Sequence, residues 1–252
     1  MIQPPVVPLA EATRALLAQC GASTIANVLL QRHGLRSSYL LGLSAVRAGL
    51  PRMVGPAYTL RFIPAREDID TMANYQRDDN PHRRAIEECP SGHVLVIDAG
   101  GSTRSSSAGD IMVARLAQRG VSGIVTDGGF RDTPSIARVG LPAFQRETAP
   151  PATPIALHPL ALNEPVGCAG VAIYPGDIIV GDDEGVVALP SHLAAEVAEA
   201  AFEQTQYELF VETQIPRGRP LYGLFPGTAE SRAEYERWVA AGRPADDASE
   251  LR

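Results

Sequence analysis

Apolar residues along this chain change period several times, from the 3.6-residue spacing of amphipathic helices to the short runs and alternations of strands. Helical spacing predicts a helix over about 10–31, another over 82–89, a third over 110–119 and a long one from Leu193 to about Gln214. Val54 to Phe62 alternates as a strand, and 93–98 and Val121 to Thr126 read as short buried strands. Pro and Gly bound five further strands near 142–145, 153–157, 170–174, 178–181 and 185–189. Residues 64–81 (PAREDIDTMANYQRDDNP) are polar and turn-rich, which predicts a long surface loop with one helical turn, placed like a lid. Gly100 to Ser107 reads as a loop of small residues, either admitting a ligand close to the backbone or simply connecting two elements. After Gly227 the chain becomes charged. Trp238 is expected to dock a short helix onto the body or onto a neighbouring subunit, and the last ten residues to be disordered. No repeat and no break in composition divides the chain, so the pattern predicts one domain over 1–252. A polar extension would occupy 226–252, and the fold would be α+β or layered β/β/α.

Composition supports a globular chain: 45% of its 252 residues are hydrophobic, ample for one core. No apolar run approaches the roughly 18 residues of a membrane helix. The first residues carry neither a basic segment nor a continuous apolar core, so no secretory signal is expected and cytoplasmic residence is the default. A net charge of −7 argues against nucleic acid as a partner, since phosphate binding needs a basic face. Cys20, Cys89 and Cys168 form no CxxC pair and are expected to be buried, inert thiols. The five histidines form no HExxH or HxH pair, so an oxygen-ligated hard cation is favoured over a histidine zinc site. His82 is expected to be a solvated residue at a helix start.

The chain contains no lysine; all 22 basic residues are arginine. A Schiff base with a keto substrate or pyridoxal phosphate is therefore excluded, and so is a P-loop. An enolate formed here would have to be stabilised by arginine or a metal ion. Absence of a GxGxxG pattern leaves a dinucleotide or methyltransferase cofactor site without support.

Candidate chemistry concentrates in GDIMVARLAQRGVSGIVTDGGFRD, from Gly109 to Asp132. Met112, Val113, Leu116 and Ala117 lie at helical spacing after Asp110, which is expected as the N-cap, and Gly120 stops that helix. Asp132 is expected to cap the next helix, which opens at Thr133-Pro134. Taken singly, each residue has a structural explanation: Asp is a favoured cap, Arg is common on surfaces, and Gly-Gly is turn chemistry. Together, two carboxylates beside Arg131 at helix N-termini point to a metal bound with an anionic substrate.

Asp110, twenty intervening residues and Arg131-Asp132 form a pattern that resembles the family of the HMG/CHA aldolases and the RraA-like regulators of ribonuclease activity. Ser23 to Val28, Met53 to Ala57, Gly92 to Asp98 and Pro175 to Val187 are similar to its first helix, first core strand, pre-site strand and closing hairpin, so the resemblance implies a core of about 15–225. The resemblance implies a swivelling-domain β/β/α fold that assembles as trimers or pairs of trimers. It implies that Asp132 ligates Mg²⁺ or Mn²⁺ and that Asp110 holds the ion through water. Arg131 would contact the keto oxygen of a pyruvoyl group, whose carboxylate would rest on the N–H groups of Ile111 and Met112 beside Gly109. A glutamate from the adjacent subunit's long helix would complete the site, Glu208 being the best match and Glu203 the second; on residue pattern alone both are helix-face acids.

The activity so implied is a metal-dependent pyruvate aldolase acting on a 4-hydroxy-2-oxo acid, with oxaloacetate decarboxylation at the same site. A base, whether a positioned water or a carboxylate, would take the hydroxyl proton. The alternative is an RraA-like regulator that binds a ribonuclease or helicase without catalysis. The 64–81 loop lies where selectivity would be set, and a 2-oxo sugar acid is as compatible with the residues as an HMG or CHA substrate.

Overall fold

The computed structural model describes residues 6–243. Within them lie helices α1 (Glu11–Leu17), α2 (Ala22–His33), α3 (Met72–Tyr75), α4 (Pro81–Glu88), α5 (Asp110–Gln118), α6 (Thr133–Val139), α7 (Ala194–Gln214) and α8 (Ala229–Ala240). The strands are β1 (Tyr39–Leu40), β2 (Ser44–Ala45), β3 (Met53–Pro64), β4 (Val94–Asp98), β5 (Ser106–Ala108), β6 (Gly123–Thr126), β7 (Gly129–Phe130), β8 (Ala143–Gln145), β9 (Glu147–Thr148), β10 (Leu157–Leu162), β11 (Val166–Cys168), β12 (Val171–Ile173), β13 (Ile178–Asp182) and β14 (Gly185–Leu189). The main sheet runs β1-β14-β13-β3-β4-β6-β8-β2, with β10 also on β3.

Why β4 reads as an unbroken apolar run is visible in its neighbours. Leu95 and Ile97 pack with Ala85 and Ile86 of α4, Val113 and Leu116 of α5 and Ile136 of α6. Val94 and Val96 point to the other face, against Val166, Cys168, Val171 and Ile173 of the β11–β12 hairpin. Hairpin, sheet and helices make three layers, as the β/β/α expectation requires. A further core joins α1, α2 and α7 to β13, β14 and the start of β3.

β3, β4, β6 and β8 are parallel, so their C-terminal ends share one edge. Beyond that edge β5, β7 and β9 form a second, short parallel sheet, pairing Ser106 with Gly129 and Gly129 with Glu147. Gly129 is required there: a Cβ would lie 2.4 Å from the Glu147 carbonyl oxygen.

Several elements depart from their predicted bounds. The helix expected at 10–31 is broken at Gly21, whose extended backbone precedes α2; the Asp182 carboxylate, from β13, accepts the Ala22 N–H at 2.9 Å. The strand expected at 153–157 opens instead as a 3-10 turn, Thr153–Ile155, because Pro154 cannot donate to a ladder. The small-residue loop and the Gly-Gly turn contain β5 and β7, too short for any periodicity to register. His82 is not solvated but fully buried, edge-on to Phe62 at 5.2 Å. Burial pushes its pKa down to about 4, opposed by the Ser107 backbone. Trp238 docks α8 onto its own α7, 5.7 Å from Phe210, so Ala229–Ala240 of the extension is a packed helix. The expected disorder of the last ten residues falls, apart from Arg243, outside the described residues. All three cysteines are buried and unpaired, and burial pushes Cys89 up to about 12. No helix among the described residues is long and apolar enough to cross a membrane.

Candidate active site

The parallel pairing of β5 with β7 fixes the geometry of the site. Residues that follow two paired parallel strands leave the sheet side by side, so Gly109-Asp110 and Arg131-Asp132 become neighbours despite twenty residues between them. The Arg131 N–H donates to the Ala108 carbonyl at 3.1 Å, which fixes the second exit against the first. Each exit opens a helix, α5 and α6.

Gly109 is the point of convergence. A Cβ there would lie 2.9 Å from Arg131 Nε and 3.2 Å from Asp132 Oδ2, and Nε lies 3.3 Å from Oδ2. The guanidinium and the carboxylate therefore rest directly on the backbone that starts α5, where unpaired N–H groups favour anions. Both side chains are nearly half exposed, at 45% and 46%, and so are open to a ligand.

Asp132 holds the N-cap position of α6 but does not cap: its carboxylate accepts no hydrogen bond from that helix. Its backbone is left-handed, φ 58° and ψ 33°, a conformation uncommon for any residue but glycine and tolerated best by Asp and Asn. Strain of this kind clusters at functional sites. Asp110 likewise is not the expected cap. Gly109 takes that position, and Asp110 is the first helical residue, its Oδ1 accepting the Ile111 N–H at 2.8 Å. Of the two amides expected to hold a substrate carboxylate, that of Ile111 is thus engaged by Asp110.

Above these residues lies a cavity of about 210 Å³ lined by Gly109, Asp110, Ile111, Met112 and Arg131 on one side and Met72, Tyr75 and Ala152 to Pro154 on the other. Met72 and Tyr75 belong to α3, the single helical turn of the predicted lid. A cleft of about 370 Å³ on the far side of that segment shares Tyr75 and Pro154, but none of the Asp110, Arg131 and Asp132 group. Tyr75 was missed as a site residue because one aromatic in a polar loop gives no periodic signal. The Asp127 carboxylate accepts the Ala99 and Gly101 N–H groups at 2.7 and 3.0 Å, fixing the loop that leads to β5.

Glu208 is not brought to this cavity within the chain. It sits on α7, accepting from Gln204 at 2.8 Å, in a separate cleft with Arg32 and Arg232. Glu203 lies 3.9 Å from Arg232. Among the described residues no cluster of three or more His, Cys, Asp or Glu side chains is arranged to hold a metal. The uncapped Asp132 carboxylate with Asp110 nearby matches a hard ion that binds through one or two carboxylates and retains its waters, as Mg²⁺ does.

Residues 18–188 match the family model RraA-like, described as Aldolase/RraA. A Halalkalibacterium halodurans protein with the provisional name 4-hydroxy-4-methyl-2-oxoglutarate aldolase is 36% identical over 60% of this chain and 65% of its own length. Protein DlpA of Legionella pneumophila is 27% identical over 81% of this chain and 32% of its own. This chain thus spans less than two thirds of the length of either relative. Among solved structures, Streptomyces coelicolor RraAS2, described as an unusual member of the RNase ES inhibitor RraA family, is 34% identical with a TM-score of 0.70, covering 82% of this chain and 99% of that one. An uncharacterised Pseudomonas syringae protein aligns with a TM-score of 0.76 at 27% identity, covering 88% and 97%.

Proposed function

The chain belongs to the RraA-like family, and from that premise we propose that it is a divalent-metal-dependent lyase releasing pyruvate from a 4-hydroxy-2-oxo acid, and from oxaloacetate by decarboxylation. The observation that carries this is the convergence at Gly109 of Arg131 and an Asp132 carboxylate that does not cap its own helix. An aspartate with the extended backbone of an ordinary N-cap would accept a hydrogen bond from the helix, whereas the left-handed Asp132 leaves its carboxylate beside Arg131.

In this mechanism Arg131 binds the keto oxygen of the substrate, and the start of α5 receives its carboxylate. Asp132 and Asp110 would hold Mg²⁺ or Mn²⁺, which when bound supplies Lewis-acid polarisation of the 2-oxo acid. Cleavage breaks the C3–C4 bond. The electron pair moves onto C3 and is delocalised to the C2 oxygen as an enolate, while the C4 hydroxyl proton passes to a water positioned by a carboxylate. Protonation at C3 then gives pyruvate, and the other product is a carbonyl compound. Arg131 stabilises the enolate as its charge develops, the role a lysine iminium cannot play in a chain without lysine. In oxaloacetate the C3–carboxylate bond breaks instead, CO₂ leaves, and no hydroxyl base is needed. Following the family resemblance, Glu208 would reach the site of an adjacent subunit in a trimer or pair of trimers.

Names of relatives favour the same activity, while the likeness to RraAS2 supports a second reading, a protein that binds a ribonuclease or helicase and does no chemistry. Incubation of the purified protein with oxaloacetate separates them. Pyruvate formation that stops with a strong chelator and returns with Mg²⁺ or Mn²⁺ is the expected result; no pyruvate under any metal would leave the regulator, and full turnover of metal-free protein would remove the metal.

A further inference from the structure

The lid segment builds one wall of the cavity, and the chemistry of that wall restricts the substrate. Two anchors hold the segment in place. The Asp70 carboxylate accepts the Arg66 N–H at 2.7 Å and lies 2.6 Å from His158 Nδ1 on β10. The Tyr75 ring packs 5.9 Å from the buried His82 ring, with its hydroxyl 3.4 Å from Nδ1. Met72, fixed between these anchors, is 60% exposed, and across the cavity Ile111 is 80% exposed. Two large apolar side chains thus face solvent at the mouth of the same small cavity, beside Tyr75, Met112 and Pro154.

Charge is distributed unevenly around this space. Arg131 is the one cation among the described residues lining it. Arg66 pairs with Asp68 and Arg77 with Asp79, each at 2.6 Å, so the cations of the lid are turned to its own acids. A substrate whose pyruvoyl end occupies Arg131 leaves its other half against Met72, Tyr75, Ile111 and Pro154. A carboxylate that stays on the departing half would lie against apolar side chains with no cation among the described lining residues, whereas oxaloacetate sheds its second carboxylate as CO₂.

We propose that Met72 and Tyr75 form the pocket for the departing half of the substrate, and that this half is uncharged, so that the 4-hydroxy-2-oxo acid is a monocarboxylate with an apolar or hydroxylated substituent at C4. The inference rests on the lyase reading above. It differs from the dicarboxylate in the name carried by the Halalkalibacterium relative.

Pyruvate release is to be compared, with Mg²⁺ present, between 4-hydroxy-2-oxopentanoate, which carries a methyl group at C4, and 4-hydroxy-4-methyl-2-oxoglutarate, which carries a carboxylate there. A kcat/KM at least about tenfold higher for the neutral substrate is expected, since one unpaired charge readily costs that factor. Equal or higher kcat/KM for the dicarboxylate overturns the inference, as does turnover of neither while oxaloacetate is decarboxylated. If oxaloacetate is also inert, the lyase reading fails and the inference falls with it. Met72→Arg, at an exposed position, should move the ratio of the two kcat/KM values about tenfold toward the dicarboxylate, and Tyr75→Ala should lower the preference for the neutral substrate. Ratios unchanged in both variants would place this wall outside the substrate's reach.

Discussion

At Gly109 a single methyl group decides whether the site can form. Alanine there would press on Arg131 Nε and Asp132 Oδ2 while meeting no core residue, so Gly109→Ala should fold normally yet lose most of its activity. A circular-dichroism melt with an activity assay checks both halves, and wild-type turnover would show that the convergence is incidental. Arg131→Lys keeps the charge but not the planar fork, and a loss on the order of 10²-fold in kcat is expected, as for removal of one oxyanion donor. Asp132→Asn should leave the fold intact, because Asn tolerates the left-handed backbone, while metal affinity measured by titration falls. The position of Arg131 and Asp132 at a helix start was legible in the sequence from Thr133-Pro134. That Gly109 and not Asp110 takes the cap position was not: sequence cannot distinguish the cap from the residue after it when a glycine precedes.

The decisive elements are the least periodic ones. Long helices and continuous strands such as α7, β4, β13 and β14 lie within a residue or two of their predicted bounds, since many apolar positions vote for each. β5 and β7, with three and two residues, carry no such signal, yet their pairing assembles the site. The lid turn α3 was recognisable from its polar setting, but its attachment through His158 is a contact 88 residues distant in sequence, and that through His82 depends on the burial of a ring expected in solvent. His82 makes that attachment pH-sensitive. Unfolding lets its imidazole take a proton below the ordinary pKa of 6.5, whereas the folded chain refuses one until about pH 4. Stability contributed by the neutral ring is therefore complete above pH 6.5 and is lost as pH falls toward 4, by roughly 3 kcal/mol. Asp177, raised to about 6 by burial, tilts the opposite way, because the folded chain keeps a proton the unfolded chain releases. Unfolding curves of wild type and His82→Phe should accordingly differ by an amount that changes between pH 7 and pH 4; a constant difference would contradict the buried neutral imidazole.

At the scale of the whole molecule, the three-layer fold was legible because each layer has its own pattern: continuous runs in the doubly covered strands, alternation in β3 and helical spacing in the covering helices. Assembly was not, since Glu208 has no partner signal in sequence and lies in a different cleft from Arg131 within one chain. If it serves a neighbour, mixing inactive Arg131→Ala with inactive Glu208→Ala subunits, with exchange followed by labelled chains, should restore part of the activity. Absence of recovery despite exchange would remove Glu208 from the site. The central claim is that Arg131, beside a metal ion that Asp132 and Asp110 would hold, stabilises the enolate of pyruvate, and it can be tested without any aldol substrate. Pyruvate incubated in D₂O with the protein and Mg²⁺ should exchange its methyl protons for deuterium, as read by NMR, and Arg131→Lys should slow that exchange by about 10²-fold. Exchange no faster than in protein-free solution, or equally fast in the variant, would contradict the account.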